Sequence, residues 1–419
     1  MREMKDSGIE WIVKIPATWN EVPIRFVFKE CTTKNVLLQE KMALKFTYGS
    51  ITPKQDFDAD TDEYIANTIA NYTVVHPGVI MINGLNLNYD FVSKRVGLVK
   101  DNGAITSAYL AIEPTDKVIP EYATYQLKSW DAVKAFHNMG TGVRKTLDFS
   151  ELGKKRFVMP PLAEQQRIAS FLDSQCSEID AISADIQKEI ETLEKYKRSV
   201  ITEAVTKGLN PDVETKDSGA EWIGRVPNNW NLGRIGGFYS LRNEKVSDKD
   251  YPPLSVTMKG ILPQLETAAK TNDGDNRKLV RKGDFAINSR SDRRGSCGIS
   301  KYDGSVSLIN TVLTPRGEMS AAYYDWVFHC TRFSDEFYRQ GHGIVDDLWT
   351  TGWQEMKKII IPVPPLPEQN RIADYLSSKC SDVDFIISQK NQQVETLANY
   401  KKTLIYEYVT GKKEVPIQN

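Results

Sequence analysis

Residues 160–180 read PPLAEQQRIASFLDSQCSEID, and residues 364–384 read PPLPEQNRIADYLSSKCSDVD. The two segments match at a spacing of 204 positions, and further identities follow each of them. Proline in a first turn, followed closely by an acidic residue, is typical of a helix start. The sequence therefore predicts that two related helices begin at these prolines.

An apolar residue recurs every seven positions after the first helix start. The first stripe consists of Leu172, Ile179, Ile186, Leu193 and Val200. The second consists of Leu376, Val383, Leu397 and Leu404, and Lys390 interrupts it. A sustained heptad over a helix of about 43 residues favours a two-helix coiled coil. The alternative is a buried helix of an ordinary core.

A second repeat heads each half of the chain. Residues 5–20 read KDSGIEWIVKIPATWN, and residues 216–231 read KDSGAEWIGRVPNNWN. The intervening sequences share only scattered residues and contain short apolar runs punctuated by Gly, Asn and Pro. That pattern indicates mixed domains rich in strand. A duplicated unit also implies an internal pseudo-two-fold, in which the two helices pair antiparallel.

The expected fold is α+β, with two similar mixed α/β domains joined by two long antiparallel coiled-coil helices. We expect residues 1–158 to form the first head segment and domain, and residues 159–208 the central helix. Residues 209–362 would form the second head and domain, and residues 363–419 the C-terminal helix and tail.

Composition limits the function classes. Lys and Arg total 54 and Asp and Glu total 55, which excludes a uniformly basic nucleic-acid coat protein but not a local basic face. The five cysteines form no CxxC pair, so a disulfide framework or zinc ribbon is not expected. The sequence shows no membrane span and no signal-peptide core, and we expect a cytoplasmic protein.

Catalytic motifs are absent from the sequence. There is no GxxxxGK[ST] phosphate loop, no HExxH and no GxSxG elbow. The four histidines lack metal-ligand spacing. Residues 211–216, PDVETK, contain the parts of a nuclease motif at the wrong spacing, and a linker is the better interpretation. We therefore predict no catalytic residue and no metal ligand.

Two loops at matching positions of the two halves are candidates for binding a polyanion. The run 277–294 carries a local charge of about +5 and is rich in Arg and Asn, which can read guanine and adenine edges. The candidates in the first half are Asn83, Asn86, Asn88, Tyr89, Lys94, Arg95, Arg144 and Lys145. Those in the second half are Asn288, Arg290, Ser291, Arg293, Arg294 and His342. The alternative is ordinary solvated surface.

Taken together, these motifs resemble the specificity subunit of type I restriction–modification systems. The resemblance lies in PPLxEQxRIAx[FY]L and in KDSGxEW with a later Pro and Trp, each present twice and in the same order. It covers essentially the whole chain. The first copy departs slightly, with Val13 where the second has Gly224, and Ala163 where the second has Pro367.

The resemblance implies a non-catalytic, sequence-specific DNA-binding chain with two target recognition domains. Each domain would read one half of a split target, and the helices would set the gap. The heptad residues would form the helix seam and the subunit interface. Two modification subunits would bind S-adenosylmethionine, and restriction subunits would use ATP and Mg. The chain itself would bind no cofactor. A stand-alone DNA-binding regulator, a nuclease or methyltransferase in its own right, and a pure scaffold remain alternatives.

Overall fold

The computed structural model describes residues 2–60, 62–143, 145–264, 274–290, 293–343 and 349–416. The chain divides into two compact units. The first combines Met1–Ile186 with Gln392–Asn419, and the second is the continuous stretch Gln187–Asn391. Each of the two long helices contributes one part to each unit. Among the described residues, no helix is long and apolar enough to cross a membrane.

The first unit begins with small strands and ends on a long helix. Its strands are β1 Met4–Asp6, β2 Lys14–Pro16, β3 Asn20–Pro23, β4 Phe28–Glu30, β5 Met42–Thr47, β6 Ser50–Asp58, β7 Thr73–Val75, β8 Ile80–Ile82, β9 Val96–Leu98, β10 Gly103–Ile105, β11 Leu110–Pro114 and β12 Arg156–Met159. Its helices are α1 Glu63–Ala70, α2 Pro120–Ala132, α3 Phe149–Leu152 and the first part of α4 Leu162–Lys207, with 3-10 turns at Ile24–Phe26 and Ala135–Asn138.

The second unit also begins with small strands and leads into a long helix. Its strands are β13 Thr215–Asp217, β14 Arg225–Pro227, β15 Asn231–Arg234, β16 Tyr239–Arg242, β17 Lys245–Val246, β18 Leu254–Thr257, β19 Gly260–Pro263, β20 Arg277–Val280, β21 Phe285–Asn288, β22 Cys297–Ile299, β23 Gly304–Val306, β24 Asn310–Pro315 and β25 Ile360–Val363. Its helices are α5 Ile235–Phe238, α6 Ala321–His329, α7 Thr331–Arg339, α8 Trp353–Met356 and the first part of α9 Leu366–Val409.

Each unit is built around one antiparallel four-stranded sheet of the same order. The order is β4-β11-β8-β9 in the first unit and β16-β24-β21-β22 in the second. The central strands β8 and β21 are the predicted short apolar runs, and they are buried along their whole length because both faces of the sheet are covered. The expectation of two mixed domains rich in strand is confirmed.

The second sheet of each unit differs. In the first unit it is β6-β5-β10-β7, with β5 and β10 parallel. In the second unit it is β17-β20-β23, beside the separate hairpin β18-β19. These are the regions in which the two halves of the sequence have diverged, so the duplication preserves the common sheet and the helices more closely than the rest.

The two long helices have the predicted positions and nearly the predicted length. α4 has 46 residues and α9 has 44. Gly208 and Gly411 follow their last turns with φ of +76° and +69°. Glycine adopts this left-handed conformation without strain, and it commonly terminates helices.

The helices run antiparallel within each unit. In the first unit, Phe171 of α4 packs on Tyr408 with ring centroids 4.5 Å apart, and Asp180 pairs with Lys401 at 2.6 Å. In the second unit, Lys197 pairs with Asp384 at 2.7 Å. From the first of these ion pairs to the second, the residue number in α4 increases and that in α9 decreases. The expected antiparallel pairing is confirmed, and Asp180–Lys401 and Lys197–Asp384 are the same ion pair in the two copies of the repeat.

Five of the nine heptad residues are buried, and the other four are half-buried. Leu172, Ile179, Leu376, Val383 and Leu404 are buried. Ile186, Leu193, Val200 and Leu397 are half-buried. Two helices that pack only on each other bury a narrow stripe of side chains. The turns near the helix starts also pack on the cores of the units, which increases their burial. Lys390, which interrupts the second stripe, forms an ion pair with Glu189.

The glutamine of each PPLxEQ segment attaches the helix start to the neighbouring domain. The buried Gln165 side chain accepts a hydrogen bond from the Ile119 amide at 2.9 Å and donates to the Pro160 carbonyl at 2.9 Å. Gln369 makes the same two bonds, with the Ser320 amide and the Pro364 carbonyl, each at 2.9 Å. Because these backbone groups are buried, they would otherwise be left unsatisfied.

Each head segment is completed by the end of the helix from the other copy of the repeat. Trp19 is fully buried, and a Cβ placed on Gly411 would lie 2.8 Å from its ring. Likewise, a Cβ on Gly208 would lie 3.2 Å from the ring of the buried Trp230. The tryptophans shared by the two heads therefore serve to pack a helix end.

The two head segments have different residues at one position where the backbone is left-handed. Val13 has φ of +65°, and the equivalent Gly224 has φ of +74°. Both sit in the same turn, where their carbonyls accept hydrogen bonds from the amides of Ser7 and Ser218. A β-branched residue in this region is strained by roughly 1–2 kcal/mol. The first head therefore retains strain that the second avoids.

We expect Val13→Gly to stabilise the chain by about 1 kcal/mol, because Val13 is exposed and loses little packing. Gly224→Val should destabilise by about 1–2 kcal/mol at the equivalent place. The measurement is chemical denaturation of both variants beside the parent chain. Equal, small effects of the two substitutions would contradict the strain at Val13.

Candidate nucleic-acid interface

The two candidate loops lie at the same place in the two units, and each packs on a second loop. Loop pair 1 consists of residues 83–95, between β8 and β9, and residues 140–147. The Leu87 amide donates to the Lys145 carbonyl at 3.1 Å, and Asn88 Nδ2 donates to the Val143 carbonyl at 3.2 Å. The sequence-predicted residues of the two segments are thus brought together.

Loop pair 2 consists of residues 288–296, between β21 and β22, and residues 341–350. The His342 amide donates to the Thr350 carbonyl at 3.0 Å, and the Thr351 amide donates to the Ser289 carbonyl at 3.0 Å. Arg290 and Thr350 also form a bridge of antiparallel type. Arg144 and Ser291, two of the predicted residues, lie outside the described part of the chain.

Arg95 was predicted to contact DNA, but its side chain is fully buried. Its guanidinium donates to the carbonyls of Asn83 at 2.8 Å, Leu85 at 2.9 Å and Asp90 at 2.6 Å. An ion pair with Asp90 at 3.6 Å adds to these bonds. Arg95 therefore organises the loop from inside, and the prediction that it contacts DNA is corrected. The sequence pattern could not distinguish an inward arginine from an outward one.

His137 and Tyr338, which are not among the predicted site residues, occupy equivalent positions and support loop pairs 1 and 2. His137 Nε2 lies 3.0 Å from the Asp90 carbonyl, and the ring stacks on Phe91 at 4.6 Å. The residue 201 positions later is Tyr338, whose hydroxyl donates to the carbonyls of Asn288 at 3.1 Å and Arg293 at 3.3 Å. Gly140 and Gly341, which follow these two residues, are also 201 positions apart. This offset is the sequence feature that relates His137 to Tyr338.

Most of the predicted asparagines are engaged within the loops. Asn83 Oδ1 accepts from the Leu85 amide at 3.1 Å, and Asn288 Oδ1 accepts from the Arg290 amide at 3.0 Å. Asn288 is also buried, so it is not placed to read a base. Asn88 is half-buried and binds Val143 through its amide nitrogen. These side chains fix the turns, a common use of asparagine.

The remaining predicted side chains lie on the surface, apart from the half-buried Arg290. Asn86, Tyr89, Lys94 and Lys145 are exposed in loop pair 1, and Arg293, Arg294 and His342 are exposed in loop pair 2. Arg294 pairs with Asp335 at 3.7 Å and lies over the Tyr338 ring at 5.4 Å. Because both partners are more than half exposed, this ion pair is weak and can be exchanged for a phosphate.

Only part of the basic run 277–294 forms the surface of loop pair 2. Arg277 is buried and donates to Ser305, and Lys278 donates to the Asn310 carbonyl at 2.6 Å. Burial lowers the pKa of both groups. The cations of β20 thus support the sheet, whereas Arg293 and Arg294, after β21, are exposed.

The described residues contain no cluster of His, Cys, Asp and Glu that could hold a metal ion. Burial raises the pKa of the Cys176 and Cys380 thiols, which occupy equivalent positions in the two helices. A thiol with a raised pKa is a poor nucleophile. Both cysteines pack in the cores of the units.

Replacing Arg95 with Met should loosen loop pair 1 without unfolding the unit. Three loop carbonyls would lose their donor, so we expect amides 85–95 to lose protection by roughly 3 kcal/mol. Hydrogen exchange measured by mass spectrometry tests this. Lys94→Met, at the exposed neighbour, is the matched control and should leave protection unchanged. Equal protection in both variants would contradict the organising role.

The chain is similar to known proteins of one kind. The family model described as "Type I restriction modification DNA specificity domain" matches residues 88–192 and 350–396. A putative type I restriction enzyme MjaX specificity subunit of Methanocaldococcus jannaschii is 24% identical over 316 residues, which cover 72% of this chain and 69% of that protein. The MjaVIII specificity subunit of the same organism is 23% identical over 235 residues, 56% of this chain and 52% of that protein.

Two solved structures share the fold. A chain from a study of complex assembly and conformational transition of the type I R-M system aligns with a TM-score of 0.71 at 14% identity, covering 95% of this chain and 99% of that one. The HsdS subunit from Thermoanaerobacter tengcongensis aligns with a TM-score of 0.51 at 14% identity, covering 95% and 98%.

Proposed function

We infer that the chain belongs to the specificity subunits of type I restriction–modification systems, and that it reads a bipartite DNA sequence. Each unit supplies one recognition domain, and loop pairs 1 and 2 are the reading surfaces. The assignment rests on one observation. The two units share the same four-stranded sheet and the same loop positions, but the described loops expose different side chains. Two readers of different half-sites require this combination.

The chain acts as a binding subunit rather than as a catalyst. Phosphate contacts would come from exposed cations such as Lys94, Lys145 and Arg293, since these can release counterions from DNA. Base contacts would come from exposed side chains of the two loop pairs, whose described segments are held by buried bonds. Methyl transfer, and cleavage where restriction subunits are present, would belong to the partner subunits, with S-adenosylmethionine, ATP and Mg bound there.

Loss of one buried hydroxyl tests whether the loops read DNA. Tyr338→Phe removes the donor that holds the Asn288 and Arg293 carbonyls, so discrimination in one half-site should fall roughly two- to tenfold. The other half-site should be unaffected. The assay is binding of the complex with its modification subunits to matched and single-mismatch DNA, after the methylated motif has been mapped in cells.

The matched control is Tyr323→Phe in the same unit. The Tyr323 hydroxyl is equally buried, and it donates to the Val205 carbonyl at 3.0 Å, at the end of α4 and away from the loops. It should lower stability and leave discrimination intact. If both variants changed discrimination equally, or if neither did, loop pair 2 would not be the reader. Absence of any sequence-specific binding by the parent complex would refute the function itself.

We propose that two modification subunits dock on the helices through exposed apolar residues beside the seam. The buried seam residues, such as Leu172 and Leu376, are engaged within the units. The exposed residues are Ile182 and Tyr400 in the first unit, and Ile386 and Tyr196 in the second. Each pair lies at one level of the antiparallel helices, beside the Asp180–Lys401 or Lys197–Asp384 ion pair. Two equivalent patches suit two copies of one partner.

Changing Ile182 and Tyr400 together to Lys should remove one modification subunit from the complex. Both side chains are about half exposed, so the free energy of unfolding should change by less than about 1 kcal/mol. Native mass spectrometry would give one modification subunit per chain in place of two. Glu191→Lys with Glu395→Lys, at exposed equivalent positions, controls for added charge. Full occupancy in a variant carrying all four apolar-to-lysine changes would contradict this docking surface.

A further inference from the structure

Three apolar side chains of loop pair 1 are strongly exposed. Tyr89 is 73% exposed, Val92 82% and Val143 92%. The described part of loop pair 2 instead exposes Arg293, Arg294 and His342. The described residues of the two loop pairs therefore offer different kinds of contact.

The apolar side chains of loop pair 1 stand on a fixed backbone. Asp90 Oδ1 accepts from the amides of Val92 at 3.1 Å and Ser93 at 3.0 Å. Lys134 Nζ donates to the Phe91 carbonyl at 2.6 Å, and the Phe91 ring stacks on His137. Asn88 binds the Val143 carbonyl from the neighbouring loop. The side chains are held out toward solvent by bonds on both sides, which limits the entropy lost when they contact a ligand.

Two exposed lysines lie close to these apolar residues along the chain. Lys94 and Lys145 are exposed on the two loops. The one carboxylate between Asn86 and Lys94 is that of Asp90, which accepts bonds from its own loop and pairs with the buried Arg95. An apolar centre with lysines beside it complements an occupant that carries methyl groups between phosphates. The major groove of DNA at thymine offers this combination, since the C5 methyl group of thymine projects there.

We propose that loop pair 1 recognises thymine through its C5 methyl groups, by apolar contact from Tyr89, Val92 and Val143. This proposal rests on the proposed function and assigns to one half-site a recognition chemistry distinct from the arginine contacts available to the other. The half-site read by the first unit then contains at least one thymine in a position that tolerates no other base.

The test replaces thymine with deoxyuridine, which keeps every hydrogen-bonding group and lacks only the methyl group. With the assembled complex, deoxyuridine in the half-site of the first unit should weaken binding roughly three- to tenfold for each methyl group contacted. The same replacement in the other half-site should change binding less than twofold. The test variant carries both Val92→Ala and Val143→Ala, and the control variant carries Tyr64→Ala. The double variant should lose the preference for thymine over deoxyuridine, whereas Tyr64→Ala, at an equally exposed aromatic outside the loops, should keep it.

The outcomes separate this proposal from the function on which it rests. Bipartite binding that is indifferent to deoxyuridine, or a first half-site without thymine, would overturn methyl recognition and leave the function standing. Loss of the modification subunit from the double variant, with the thymine preference unchanged, would assign the surface to a protein contact and also overturn it. Failure of the parent complex to bind any bipartite site would instead refute the function.

Discussion

The antiparallel packing of two apolar helix stripes is the interaction on which the rest of the structure depends. Leu172 and Leu404 share the core of the first unit, and Ile201 and Leu376 share that of the second. In both, the start of one helix meets the end of the other, so neither copy of the repeat can bury its own helix alone. The sheets, heads and loops are then fixed to these helix ends by Gln165, Gln369 and the two head tryptophans.

The features that follow from periodicity and repetition were predictable from the sequence. The heptad from Leu172 onward predicted both long helices, and the duplicated segments predicted two similar mixed domains. The direction of individual side chains was not predictable, because it depends on contacts distant in sequence. Arg95 is inward because carbonyls up to twelve positions away converge on it. Ile186 and Leu193 fit the heptad equally well, yet they are only half-buried, whereas Ile190 between them is buried.

The two loop pairs combine an equivalent support with different exposed side chains. The position shared by His137 and Tyr338 supports the loop backbone in both units, and neither residue was selected from the sequence. Above this support the exposed residues differ freely, because their replacement disturbs no buried bond. The residues that hold the loops are thus different from those that the loops expose, so the exposed side chains can change while the fold is retained.

The completion of the first head by the last helix sets an order for folding during synthesis. The second unit is one continuous stretch, whereas the first needs both ends of the chain. Tyr406 reaches carbonyls of the first head across 395 positions, and Tyr122 binds the Val409 carbonyl across 287. The packing of Trp19 is therefore complete only after the ribosome has added Gly411, more than 390 positions later. The first unit therefore completes its fold after the second, and until then its head keeps apolar side chains exposed to aggregation.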